Sequence, residues 1–388
     1  MAPGARGNNQ YSRPLARPAS PAVAGLDLVS QAGQQTGQTC HDIWRTMVPA
    51  GAGQIWPGRP CLQSVGPPSW AHDQHPDKTA RRATASRSDI PPYIAELLAR
   101  GDSSVRTKLA SNYDCPSHVL QALAGDRNPA VRQGVAGNRG SPAGLRASLA
   151  GDPDPQVRAR VAGWDRCPPP VLARLVSDSH ADVREQVASN LGVPQQVLRP
   201  LLQDPDGRVR QAVFSRDGLP SQWFAGVEHD HDSQVRWCAA SNSSCPSGTL
   251  AVLCQDRDPV VRLRAVSRPG TPISAVMTCW HDRDKQVRVE VARRCGELAG
   301  DLADDRDFEV RQQAASHWQC PPEALGRLSR DGSAAVRVAV ARNRSTPGHV
   351  LARLLQDRDP AVARAAGGNP ELPAAARAMW QLARDVTG

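Results

Sequence analysis

One dipeptide in a fixed cadence constrains this chain more than any local motif. Val-Arg stands at Val105, Val131, Val157, Val183, Val209, Val235, Val261 and Val287, each 26 residues after the last, then at Val310 and Val336, with a degraded copy at Val362. Such a period marks an array of small units, none of which can bury its apolar face alone, so the chain has to fold by stacking unit on unit. Length then measures the number of repeats, and the 388 residues need not divide into two or three globular bodies.

Aligned on the Val, each unit spells out two short helices. An Asp stands three residues before it in eight repeats, among them Asp154, Asp206, Asp232 and Asp258, and Asn128 and Ser333 take its place in two others. These are helix N-caps, and where Pro follows directly, as in Asp154-Pro155, it fills the first helical position, where the missing N–H costs nothing. Val157, Val161 and Ala162 then share one helix face, as do Val183, Val187 and Ala188. Seven residues past the Val, Asn112, Asn138, Asn190, Asn242, Asn343 and Asn369 suit a left-handed residue that stops the helix. Eleven past it, a Pro in ten of the eleven repeats starts a second helix with an apolar stripe such as Leu172 and Leu175. Helices this short are marginal alone, so packing between repeats has to supply the stability.

The expected boundaries follow. Residues 1–89, rich in Pro, Gly, Ala, Gln and Ser and without helical or strand periodicity, read as a disordered tail. Within it, Thr39 to Met47, with Cys40, His41 and Trp44, forms a candidate docking peptide. Order is expected from Ile90, where residues 90–101 match the second half of a unit and act as a cap. An irregular repeat is expected over 287–309, because the interval shrinks to 23 residues and Leu298 replaces the Pro.

With 44 Arg, 3 Lys and a net charge of +9, divided as +4 over residues 1–92 and +5 over the rest, the chain is mildly basic without a concentrated patch. Ten scattered Cys and no secretory signal suit a reducing cytoplasm, and no run of 18 apolar residues suggests a membrane span.

At these positions the chain resembles the leucine-rich repeat variant family: the spacing D-x-D-x-x-V-R-x-x-V-A-x-N-x-x-x-P-x-x-x-L-x-x-L matches that family's unit over residues 90–388. The resemblance implies an all-α, right-handed solenoid of about eleven two-helix repeats of 26 residues, with α and 3₁₀ helices alternating, similar in shape to HEAT-type arrays. Periodicity alone leaves the choice of helix type open. A branch of the family carries an N-terminal iron-sulfur domain, but only Cys40 and Cys61 precede the repeats, too few for a four-thiolate cluster, so no cofactor is expected.

Cys115, Cys167, Cys245 and Cys320 all stand just before the second-helix Pro, a slot for small buried residues that elsewhere holds Ser141, Val193 or Thr271. His229, His231, Cys254, Cys279 and His281 gather near neighbouring Asp turns, but without a metal-binding spacing. No phosphate-loop, nucleophile-elbow or H-E-x-x-H motif is present, and carboxylates recurring in ten places serve the fold rather than catalysis, so no enzymatic activity is expected.

Two columns admit two readings. Asp lies five before the Val in ten repeats, from Asp126 to Asp357, and Arg follows it in ten, from Arg106 to Arg337. In the structural reading, Asp oxygens accept turn N–H groups and each Arg bridges to an adjacent repeat. In the functional reading, the Arg column grips phosphates.

Function is expected to be that of a non-enzymatic scaffold binding a protein or peptide, with a nucleic-acid-binding array as the alternative. Binding residues are sought where repeats leave their own consensus, from Val209 to Cys295. There Arg216, Arg268 and Arg294 replace the Asn, and Trp223, Trp237 and Trp280 enter with Phe214 and Phe224. Trp and Arg are enriched in binding hot spots. Trp237 stands two after the Val and is expected to face solvent; some of the rings, Phe224 above all, can equally repack the core.

Overall fold

A computed structural model describes residues 78–88 and 90–387, which lie in the second of the two units, 1–68 and 69–388, into which the chain divides. The candidate docking peptide at Thr39 to Met47 and most of the expected tail fall outside the described residues. Every regular element among those residues is helical.

Each first helix forms as its cap dictates. Asp154 accepts the N–H groups of Gln156 and Val157 to open Pro155–Ala162, Asp102 does the same for Ser103–Ala110, and Asn128 accepts from Ala130 to open Pro129–Gly137. His180 and Ser333 open their helices without a side-chain bond. The Val column forms the spine of the core, with Val131, Val157, Val183, Val209 and Val235 wholly buried, and the positions four and five residues on, such as Val187 and Ala188, are buried with it. First helices stack directly on one another along the array, which lets helices of eight to ten residues persist. Buried apolar side chains fall into three successive clusters that meet near Phe214 and near Ala299.

The second helix is α in Ser117–Leu123, Pro169–Leu175, Ser247–Leu253, Pro322–Leu328 and Gly348–Leu354. It passes into 3₁₀ turns at Leu149–Gly151 and Arg199–Gln203, and is wholly 3₁₀ at Ser221–Phe224 and Val227–His229. There Gly226, at φ +81°, adopts a left-handed conformation that ends the first turn. Alternation with 3₁₀ helices is thus confined to a few repeats.

Two expectations are corrected. Among the described residues the array extends one helix before Ile90: Lys78–Ala85 packs on Ser103–Ala110 with Thr84 and Ala85 buried. This helix lacks the diagnostic Val, carrying Ala80 and Thr84 where the next repeat has Val105 and Leu109. The Asn residues, moreover, are not left-handed. Asn138, Asn190, Asn242 and Asn343 close their helices in extended conformation, with φ between −66° and −77°. Their work is done by the side chain. Asn190 Nδ2 donates to the carbonyls of Ala162 at 2.6 Å and Trp164 at 2.8 Å in the preceding repeat, while its Oδ1 accepts the Gly192 N–H. All six Asn repeat the pattern, the first of them, Asn112, on the carbonyls of Ala85 and Arg87.

The short interval after Val287 removes part of the second half of its unit. The first helix runs on to Arg294, and a 3₁₀ turn, Gly296–Leu298, leads into only Ala299–Leu302. Arg288 still reaches Asp305, 17 residues ahead instead of the usual 20. The missing turn is therefore absorbed without breaking the contacts between first helices. Gly296 sits close beneath the next repeat, where a Cβ would push against the ends of the Gln319 and His317 side chains.

Candidate functional site

The Arg and Asp columns form one continuous device. In ten successive pairs the Arg Nε donates to one Asp oxygen at 2.5 to 2.7 Å and Nη2 to the other at 2.7 to 3.0 Å. Nη1 turns back to a carbonyl at the start of its own repeat, as from Arg236 to Asp230 at 2.6 Å. The same Asp accepts the N–H two residues on, as Asp256 does from Asp258 at 2.8 Å, placing the next N-cap. For Asp126 and Asp357 the arginine hydrogen bonds are the largest influence and hold the carboxyl below the usual range. At Asp152, Asp178 and Asp282 burial pushes upward but is outweighed by the arginine and the turn N–H. The structural reading of the columns is the one the geometry shows.

The Arg residues that replace Asn take over its contacts. Arg216 Nη1 donates to the Ala188 carbonyl at 3.0 Å and to that of Asn190. Arg268 Nη2 reaches the Asn242 carbonyl at 3.1 Å, with its Nε buried and unpartnered. Arg294 donates to the carbonyls of Val266, Arg268 and Thr271. These three therefore lie in one line between repeats, each spending donors on backbone.

The three Trp residues stand elsewhere, so the six do not form one surface. Trp237, expected to face solvent, is half-buried on its first helix against the second core cluster, with Arg264 Cζ 5.7 Å from the ring centre. The position itself is half-buried along the array: Thr107, Gln133, Glu185 and Gln211 are partly covered as well, and Gln211 Nε2 donates to Asp232 of the next repeat at 3.0 Å. Trp223 is half-buried in the 3₁₀ segment Ser221–Phe224, and Trp280 lies beyond its second helix against His281, at the turn containing Asp282. Phe224 is wholly buried, its ring centre 5.5 Å from that of Phe214, so this pair repacks the core. Beside Trp237, Leu263 and Val289 occupy the same position in the next two repeats, giving a partly covered apolar strip along three first helices.

Two residues escaped the sequence reading. Arg146 occupies the second-helix position held elsewhere by Leu120, Leu172, Leu198, Leu250, Leu325 and Leu351, and Trp164 the position of the Asn column. The guanidinium carbon of Arg146 lies 3.7 Å from the centre of the Trp164 ring, at the floor of an open cleft of about 550 Å³ on the first-helix side. The signal was present as two departures from consensus 18 residues apart, outside the stretch where departures cluster.

The pre-Pro cysteines are buried, and burial pushes the thiols of Cys115, Cys167, Cys245 and Cys320 up to about 11. Cys279 Sγ lies 3.3 Å from the Cys254 carbonyl, but the His229 side chain is 85% exposed. Among the described residues no group of three or more His, Cys, Asp or Glu is arranged to hold a metal ion, and none of their helices is long and apolar enough to cross a membrane.

Helix stacking, the buried Val spine and the two ladders define an α-helical repeat solenoid. The units are of the leucine-rich-repeat-variant type: the family described as "Leucine rich repeat variant" matches residues 334–359, one full unit. Among solved structures the chain is similar to "a leucine-rich repeat variant with a novel repetitive protein structural motif" at 29% identity, over 56% of this chain and 88% of that one, with a TM-score of 0.47. It is also similar to an engineered protein at 18% identity, over 74% and 93%, with a TM-score of 0.31. A third match is to computationally designed armadillo repeat proteins for modular peptide recognition at 14% identity, over 79% and 96%, with a TM-score of 0.11. Comparison with curated proteins gives no match.

Proposed function

We propose that the chain is a non-enzymatic scaffold that binds a protein or peptide along the exposed side of its stacked first helices. The observation that carries this reading is the division of labour between columns. Val, Arg, Asp and Asn positions are buried or bonded between repeats, whereas the position two after the Val is half-buried and differs from repeat to repeat: Gln133, Glu185, Gln211, Trp237, Leu263, Val289. A position that varies in residue type from repeat to repeat while lying in one line suits an extended partner, with Trp237 as an aromatic anchor flanked by Leu263 and Val289. Arg216, Arg268 and Arg294 then contribute through the placement of neighbouring repeats.

The nucleic-acid alternative loses the cations it required. Each ladder Arg is held bidentately by a carboxylate, with side chains only 1 to 22% exposed, and a phosphate has to displace that pair to bind. Partner recovery on the full chain, compared with Trp237→Ala/Leu263→Ala/Val289→Ala, tests the proposal. Loss of the partner with an unchanged melting temperature supports it. Full recovery by the variant, or a bound species that is nuclease-sensitive and lost steeply between low and moderate salt, refutes it.

A further inference from the structure

Arg146 is an anomaly that the fold does not explain. Its residue is 7% exposed at a position where other repeats bury Leu, and no atom of its guanidinium has a hydrogen-bond or ion-pair partner among the described residues. The second arginine at this position, Arg377, shows what the fold does when it satisfies such a group: its Nη2 donates to the carbonyls of Asn369, Pro370 and Leu372. The Arg146 guanidinium lies over the Trp164 ring, a contact that attracts the cation but supplies no hydrogen-bond acceptor, so its donors remain unspent. Trp164 in turn has given up the inter-repeat bonds that Asn makes at its position, so both members of the pair sacrifice a stabilising contact. A buried cation without an anion is costly, and such a cost persists at sites that hold a ligand.

The cleft also states which anion. Arg139 and Arg160 line it with no ion-pair partner among the described residues, while Asp165, Asp182 and Glu185 line it as well, the last two facing Arg208. The three carboxylates oppose a polyanion laid along the cleft more than a single carboxylate, whose one charge is spent on Arg146. We infer that this cleft receives the side-chain carboxylate of one Asp or Glu in a peptide partner, bound bidentately by Arg146 over the Trp164 ring, an assignment that rests on the scaffold reading above.

Selection of random displayed peptides on the full chain and on Arg146→Leu tests it. That substitution restores the consensus core residue, so its melting temperature should stay level or rise. Peptides selected on the native chain should share one Asp or Glu that is missing from those selected on the variant. One such peptide should bind Arg146→Leu about tenfold or more weakly, and its own Glu→Gln form should lose a similar factor on the native chain, without further loss when both changes are combined. Selected peptides whose affinity is untouched by Glu→Gln, or by Arg146→Leu, overturn the carboxylate site and leave the scaffold standing. Failure to select any peptide on either chain overturns both. Should Arg146→Leu melt early, the Glu→Gln comparison on the native chain decides alone. Displacement of the acidic peptide by a single-stranded oligonucleotide, with tighter binding of the latter, overturns the carboxylate assignment in favour of phosphate.

Discussion

Replacing Arg236 by Met asks how much of the fold rests on the Arg–Asp ladder. Its side chain is 1% exposed, and that of Asp256 3%. Arg236→Met removes two charge-assisted bonds to Asp256, at 2.6 and 2.8 Å, and one to the Asp230 carbonyl. The buried Asp256 carboxylate is left with the Asp258 N–H alone. Removing one partner of a buried pair typically costs about 3 to 5 kcal/mol, chiefly through the stranded charge. With an unfolding entropy of about 2.1 cal/mol/K per residue over roughly 300 cooperative residues, the melting temperature should fall by about 5 to 8 °C. Arg208→Ala is the control: that Arg meets Asp182 at 3.1 Å with both side chains about half exposed, and water screens such a pair, so its loss should leave the melting temperature nearly unchanged. Adding Asp256→Asn to Arg236→Met removes the stranded charge while keeping an acceptor for the turn, and should recover more than half of the loss. Thermal melts followed by circular dichroism measure all three. An Arg236→Met chain no less stable than Arg208→Ala, or a double variant no more stable than Arg236→Met alone, refutes the reasoning.

Further outcomes follow from the same geometry. Val183→Asp buries an unpaired carboxylate in the spine and should cost about 4 kcal/mol or more, while Glu185→Ala should stay within about 0.5 kcal/mol; equal melting shifts would mean reversed helix faces. Gly296→Ala drives a Cβ into Gln319 and His317 and should cost about 1 to 3 kcal/mol, read by the same melts. Deleting residues 1–77 should leave the melting temperature unchanged, whereas deleting 1–89 uncovers Leu109 and Ala110, takes away both Asn112 acceptors and should lower it. Melting temperature against pH should show a plateau with two falling sides. Carboxyls such as Asp126 and Asp357 are depressed in the folded state, so their contribution is complete above about pH 4 and is lost as pH falls through the folded values. Buried thiols such as Cys115 and Cys320, raised to about 11, favour the fold below about pH 8.5 and lose that contribution as pH climbs towards 11.

Much of this architecture is legible in the sequence because the period multiplies weak signals. One Asp-Pro or one buried Val says little, but the same residue at the same offset in ten units can only be a demand of the fold. The columns were therefore readable as ladders between adjacent repeats, while the forward direction of the Arg bridge came from the structure. Two kinds of information were not carried by the period. The Asn column fixes that something ends the helix there, but an amide suits both a left-handed cap and an extended residue reaching sideways; only the neighbouring repeat's carbonyls decide between them. The first unit among the described residues was missed because its helix carries Ala80 and Thr84 in place of the Val and Leu on which the period is read.

The expected binding residues show why departure from consensus needs a second criterion. Arg216 and Arg294 break the Asn pattern yet keep its chemistry, since a guanidinium donates to the same pair of carbonyls that the amide does. Phe224 breaks the Leu pattern and keeps its burial. Such substitutions conserve the physical job and carry no information about a partner. Arg146 and Trp164 do the opposite, each abandoning the job of its position: the one puts charge where the fold buries alkyl carbon, the other leaves two carbonyls without their usual donor. What separates a recognition residue from a repacked one is thus the interaction left unmade, and in the described array Arg146 is the arginine at a core position for which neither a carbonyl nor a carboxylate has been supplied.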